Sequence, residues 1–449
     1  MIFFRQKHVI ALFCVLVAIF IVVAQIFANT VLVLAALACF AMLVLWGSVN
    51  DMVIPVLLFF LPWAPLIKFQ PGTTSIYTLA ILAVLAIYVL RGGRNVNMFH
   101  LFPALLLFAE TLVVKTLKDY SMNTDYIFFF ACLFLFPLLA RERERFYDFR
   151  SITLFFSFGI IIAALISQQV LLIPTIARYI RVHAYQDLTR LAGFYGDPNF
   201  YSAHITAALG GVMILLYRSK KRSEQLLFFA IMVLLLYCGF LSVAKSFALI
   251  AVCLFALWIL DILFRRGRIS FKLMLLFSIL VGGLFILSST LFTDLIDMMV
   301  ERFVTSEGSI SKLTTGRTDL WLSYINAFEK DQILFWFGEG YTGVLINGQA
   351  SHNTILQSVY QAGLLGAILL GAWFLLYVRS ILKTMNVRFD NLTSVLILLM
   401  GAMGPWMGLD MLFFYEFFLM PFYVCIGINY LEQSEETEHE MTPKLAKAL

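Results

Sequence analysis

The stretch ASHNTILQSVYQAGLLGAILL, Ala350 to Leu370, reads as a hydrophobic helix entering a membrane. Its mouth carries His352 and Asn353, and Gln357 and Gln361 follow one and two turns on. Apolar runs of spanning length recur from end to end of the 449 residues; the chain is 61% hydrophobic and 13% charged, which takes it out of the soluble class. The longest polar insertions are 175–199 and 291–353. The expectation is an all-α polytopic membrane protein with about 12–14 transmembrane helices. Candidate spans centre near residues 18, 38, 59, 83, 106, 132, 162, 208, 234, 254, 280, 366, 401 and 420.

Loop charge orients them. With the N-terminus placed inside, every second loop should be basic. The basic loops are Arg91 and Arg94; Arg141, Arg143, Arg145 and Arg150; Arg218, Lys220, Lys221 and Arg222; Arg265, Arg266, Arg268 and Lys272; and Arg379, Lys383 and Arg388. This pattern puts both termini in the cytoplasm and both long insertions outside. The spans show no internal repeat, so 1–449 reads as a single membrane domain. The first apolar run is about 20 residues long and another follows at once, so it reads as a retained start-transfer helix. The six cysteines lie inside apolar runs without ligand spacing and read as small core residues. The net charge of +5 sits mostly in short loops and points to no nucleic acid.

The large outer insertion contains TTGRTDLWLSYINAFEK, where Trp321, Tyr324, Ile325 and Phe328 recur at helical spacing. That predicts an amphipathic helix lying on the outer surface of the bilayer. The preceding TSEGSISKLTTG and the later GEGYTG (Gly338 to Gly343) are expected to be flexible.

The outer insertions also carry Arg178, Arg181, Arg190, Arg302 and Arg317, on the side where positive residues are depleted. Each alone is compatible with an ordinary loop arginine; together they suit phosphate recognition. Arg190 opens RLAGFYGDPN, in which Asp197 is expected to cap a helix with Pro198 at its first position. Asn199, Ser202 and Thr206 then give that helix one polar face, which suggests a cavity, whereas His204 points elsewhere and reads as a packed histidine. Arg317 stands at a helix start, where free N–H groups favour anions, or else meets lipid headgroups. Lys245 either snorkels to the headgroups or lines the cavity. Glu110 and Glu416 lie within spans and are either functional or hydrogen-bonded between helices. For His352 the bland reading is a surface residue beside a cap formed by Ser351 or Asn353. The chemical reading is a neutral imidazole that accepts a hydroxyl proton near neutral pH.

Three stretches, taken in order and spacing, resemble the O-antigen ligase and O-antigen polymerase family: RLAGFYGDPN at 190–199, GRTDLW at 316–321, and GEGYTG followed by SHNTILQSVYQAG at 338–363. They cover the second half of the chain; the first half matches only as a row of spans. The resemblance implies a GT-C-like membrane glycosyltransferase that needs no metal or cofactor. It would sit in the bacterial plasma membrane and take an undecaprenyl-diphosphate-linked glycan on the outer face. The glycan would pass, with inversion, to an acceptor hydroxyl on a glycan, a lipid or a wall polymer. Insertions 175–199 and 291–353 would form the extracytoplasmic cap over the active site. By matching position, Arg190 and Arg317 would bind the diphosphate and His352 would be the base or orient the acceptor. Asn199, Lys245, Glu339, Asn353 and Gln357 would line the substrate site. Lys245 departs from the arginine usual there and supplies charge without a bidentate fork.

A lipid-linked oligosaccharide flippase is the alternative, but it should show related halves and short loops. A metal-dependent transferase needs acids near the outer surface, and the first outer loop, Ala28-Asn29-Thr30, has none.

Overall fold

A computed structural model describes residues 2–70, 73–92, 99, 101–118, 124–139, 148–180, 183–185, 188–264, 314, 316–342, 344–382 and 391–446. The expected span near 280, most of the stretch 305–316, and the arginines 181 and 302 lie outside these residues.

The described chain is helical apart from one small hairpin. In order, the helices are α1 (Ile2–Phe27), α2 (Thr30–Val49), α3 (Val53–Phe60), α4 (Ile76–Gly92), α5 (Phe102–Lys118), α6 (Thr124–Leu139), α7 (Phe149–Val170) and α8 (Pro174–Ile180). Strands β1 (His183–Tyr185) and β2 (Leu188–Arg190) then pair antiparallel, His183 opposite Arg190. There follow α9 (Pro198–Arg218), α10 (Arg222–Leu241), α11 (Lys245–Phe264), α12 (Arg317–Lys330), α13 (Gln332–Phe337), α14 (Thr354–Ile381), α15 (Leu392–Met403) and α16 (Glu416–Ala446).

Among the described residues, six helices are long and apolar enough to cross a membrane: Gln6–Phe27, α2, α7, α9, α10 and α14. Large apolar side chains stand exposed along several of them, among them Leu12, Leu16 and Ile19 on α1 and Leu34, Met42 and Leu45 on α2. A water-soluble protein would bury such rows; a bilayer solvates them. The expected span near residue 59 is corrected. There α3 is only eight residues long, ends in a 3₁₀ turn at Leu61–Trp63 that contains Pro62, and is buried on all sides. At about 1.5 Å per residue it is far short of a bilayer's roughly 30 Å.

The chain groups into two compact units. The first comprises Met1–Phe156, Arg317–Val387 and Trp406–Leu449; the second comprises Ser157–Gly316 and Arg388–Pro405. In the first, α5 packs on α14 and α6, α13 packs on α14, and α12 packs on α13. Trp373 of α14 anchors an aromatic core. It stacks on Tyr377 with ring centroids 5.1 Å apart, and its indole N–H donates to the Leu133 carbonyl at 2.8 Å.

In the second unit α9 is the central element, buried along nearly its whole length, and α10, α11 and α15 pack against it. Asp197 caps α9 as expected, accepting the N–H groups of Asn199 at 2.7 Å and Phe200 at 3.3 Å, with Pro198 first in the helix. Two of the three polar positions on α9, Ser202 and Thr206, are taken up by helix packing. The Thr206 hydroxyl donates to the Gly401 carbonyl of α15 at 2.8 Å and Ser202 donates to its own helix at Asn199. A side chain at Gly401 would come within 2.6 Å of the Thr206 carbonyl, so small and hydroxylated residues set a close helix–helix seam. His204 is fully buried, edge-on to Tyr195 at 4.8 Å, as the packed reading required.

Candidate functional site

The mouth of α14, in the first unit, is wired through backbone groups. Asn353 caps the helix, its Oδ1 accepting the N–H groups of Ile355 and Leu356, both at 3.0 Å. Ser351 is fully buried; its N–H donates to Gln357 Oε1 at 2.9 Å and its hydroxyl donates to the Asn353 carbonyl at 2.9 Å. His352 stands between these two fixed residues, half-buried, with φ at 51°. A non-glycine residue in that left-handed region is held there at a cost, and such residues gather where a side chain must be aimed. Asn353 and Gln357, expected to line a substrate site, therefore spend these polar atoms on shaping the turn.

Arg317 is the first residue of α12, half-buried, after Gly316 at φ 80°. One turn on, the Trp321 indole N–H donates to the Ser351 carbonyl at 2.8 Å, beside His352. A further turn on, the Tyr324 hydroxyl donates to the Gln349 carbonyl at 2.7 Å. The segment headed by Arg317 is thus bonded at two points to the chain just ahead of His352.

These contacts overturn the expected membrane-facing surface of 317–330. Leu320, Tyr324 and Phe328 form the face buried in the protein, against Leu334 and Tyr360. Ile325 lies outside that face and is exposed. The GEGYTG turn is also not a loose one. The Glu339 N–H donates to the Tyr360 carbonyl and the Gly340 N–H donates to the Gln361 carbonyl, both at 2.8 Å, and Tyr341 is fully buried among Tyr126, Phe129, Phe130 and Phe413. A side chain at Gly338 would meet the Gly363 nitrogen at 2.2 Å, so glycine serves close approach there. Glu339 pairs with Lys118 of α5 at 2.6 Å, which accounts for its carboxylate without a substrate.

Asp410 escaped sequence reading. It lies in the link between α15 and α16, whose Leu409 carbonyl accepts the Thr354 hydroxyl at 2.8 Å and whose Met411 N–H donates to Thr354 Oγ1 at 3.0 Å. The carboxylate is 8% exposed and accepts one N–H, from Leu412 at 3.1 Å. Burial pushes its pKa up to about 7, against which that single hydrogen bond is a weak counterweight. Burial also raises Tyr324 to about 12, and the Asp410 charge facing it adds to that rise. A carboxyl group poised near neutrality beside the α14 mouth is a candidate for function. The available signal was its isolation as the one acid in GPWMGLDMLFFY, 404–415. Lys115 was also missed: it is buried on α5, its ammonium 4.3 Å from the centre of the Tyr126 ring.

The second unit holds the other expected cations. Arg190 ends β2, half-buried. Its Nε donates to the Ser242 carbonyl at 3.1 Å and its terminal nitrogen donates to Asn199 Oδ1 at 3.1 Å. Lys245 begins α11 three residues after Ser242. Arg190 and Asn199 are therefore bonded to each other beside the end of α10, and Lys245 follows that turn in the chain. Gly193, at φ 55°, lets the intervening loop pass the Tyr201 ring, which a side chain would meet at 2.8 Å. Glu110 and Glu416 both belong to the first unit. Neither Glu110 oxygen has a hydrogen-bond partner among the described residues, and Glu416 is buried in the first turn of α16.

No family model matches the sequence, and no curated relative matches it.

Proposed function

We propose that the protein is a membrane glycosyltransferase of GT-C-like architecture, of the O-antigen ligase or polymerase type. It would move a glycan from undecaprenyl diphosphate to an acceptor hydroxyl on the outer face of a bacterial plasma membrane. The observation that carries this reading is the α14 mouth. His352 is held in a left-handed conformation between two bonded residues, on a turn that is hydrogen-bonded to the helix beginning with Arg317.

In the proposed step the neutral imidazole of His352 takes the acceptor's hydroxyl proton. The freed oxygen forms a bond to the anomeric carbon from the face opposite the leaving group. The carbon–oxygen bond to the diphosphate breaks, and the diphosphate leaves with both bonding electrons on undecaprenyl diphosphate. A guanidinium group stabilises that leaving charge; Arg317, in the same unit as His352, is assigned the role.

The test is transfer in reconstituted vesicles with an undecaprenyl-diphosphate glycan. His352→Ala and Arg317→Ala should each lower the rate by about 10²-fold or more. Unchanged transfer in both variants would sink the assignment, and movement of the lipid-linked glycan across the membrane without transfer would favour the flippase. In cells lacking the protein, single repeat units left on the carrier indicate a polymerase and unattached long chains indicate a ligase.

A further inference from the structure

Helix α13, QILFWF, has one face inside the protein and one outside. Leu334 is buried in the cluster with Tyr324, Phe328 and Tyr360. On the other side Ile333, Trp336 and Phe337 are 70%, 43% and 44% exposed, at spacings that put all three on one helical face. Three large apolar side chains, two of them aromatic, left open on a six-residue helix are costly in water.

Its neighbours fix where that face lies. Helix α14 has 28 residues, about 42 Å at 1.5 Å per residue, against roughly 30 Å of hydrocarbon. It is broken at Gly363, with φ 65° and ψ 177°. Before the break, TILQSVYQA is rich in polar side chains; after it, 363–378 carries no charge, amide or hydroxyl other than that of Tyr377. The break is where α13 docks. A side chain at Gly363 would meet the Trp336 carbonyl oxygen at 2.3 Å and the Phe337 nitrogen at 2.5 Å. Below the break α14 exposes Leu365, Ile368 and Leu375. The Lys118–Glu339 ion pair lies just beyond α13 in the chain, with Glu339 bonded to Tyr360 three residues before the break. The exposed face of α13 is thus at the level where the sequence of α14 changes from polar to apolar, next to the exposed Leu365 and Ile368.

We propose that α13 is an interfacial anchor: Ile333, Trp336 and Phe337 insert into the headgroup–acyl boundary of the outer leaflet. Tryptophan is enriched at that depth because its ring is amphipathic, and a short helix with one apolar face lies in the plane of the interface. The part of α14 before the break then lies on the water side of the anchor with its polar side chains packed inside the protein, and the His352 turn stands about 14 Å above the anchor along the helix axis. This inference rests on the membrane reading of the helices and not on the transfer reaction.

The experiment uses the full chain in phospholipid vesicles. Ile333→Cys carries a nitroxide label, with labelled wild type as the background from the six native cysteines. Gln349→Cys, an exposed residue near the mouth, serves as the aqueous reference. The label at 333 should collide several-fold more with dissolved oxygen than with a water-soluble nickel chelate, and the label at 349 should show the reverse. Equal access of the chelate to both sites overturns the proposal. So does dipolar broadening between labels at 333, which would mean that a second copy covers this face. Trp336→Glu gives a second reading: Ile333→Cys in that background should gain chelate access, and no gain in a folded protein counts against the anchor.

Discussion

Replacing Asp410 by asparagine should remove a pH dependence from the folded state. An aspartate ordinarily titrates near 3.8, and burial pushes Asp410 up to about 7. Each pH unit of difference is about 1.4 kcal/mol, so three units correspond to about 4 kcal/mol as an order of magnitude. Because the folded pKa lies above the unfolded one, the folded state holds the proton more tightly. Its stability is full below about pH 4, declines as pH rises towards 7, and levels off above that. Asparagine keeps an oxygen for the Leu412 N–H and carries no charge at any pH. Thermal unfolding in detergent from pH 4 to 8 should therefore show wild type losing stability relative to Asp410→Asn across that window. The two proteins should differ least at the acid end. Tyr324 and Tyr341, whose charges Asp410 faces, titrate above this window and leave the comparison clean. Parallel profiles for the two proteins would refute the reasoning, because they would mean that the Asp410 carboxylate is solvated.

Trp321→Phe removes the hydrogen bond to Ser351 and should cost about 1 kcal/mol of stability; if that bond fixes the His352 turn, the transfer rate should fall more than acceptor binding, read as a kcat change at similar KM. A double-mutant cycle with Lys118→Met and Glu339→Gln should return a coupling of about 1 kcal/mol, and zero coupling would deny the ion pair a structural role. Gly363→Ala should destabilise by at least ~2 kcal/mol, since alanine is strained at φ 65° and meets the Trp336 backbone; a wild-type melting temperature would exclude the kink and the docking of α13 together.

The sequence alone determined what local chemistry and solvent decide. Long apolar runs must satisfy their own backbone in a bilayer, so helices occur at most of the expected centres within the described residues. Asp197 and Asn353 cap their helices because a short side-chain oxygen before a helix has free N–H groups to meet. Periodicity marked the apolar positions of 317–330 but not what covers them, because a bilayer and a neighbouring helix are equally good apolar solvents. Only packing revealed that Tyr324 and Phe328 face Tyr360, and that α13 leaves Ile333, Trp336 and Phe337 exposed. Gly338 signalled freedom in the chain; in the folded protein its missing side chain allows two backbones to meet. Thr206 looked like cavity lining because a hydroxyl does not show whether water or a carbonyl will receive it. Asp410 was invisible for the deepest reason: a carboxyl group's pKa depends on what surrounds it, and its surroundings include Tyr324 and Tyr341, which are distant in the chain.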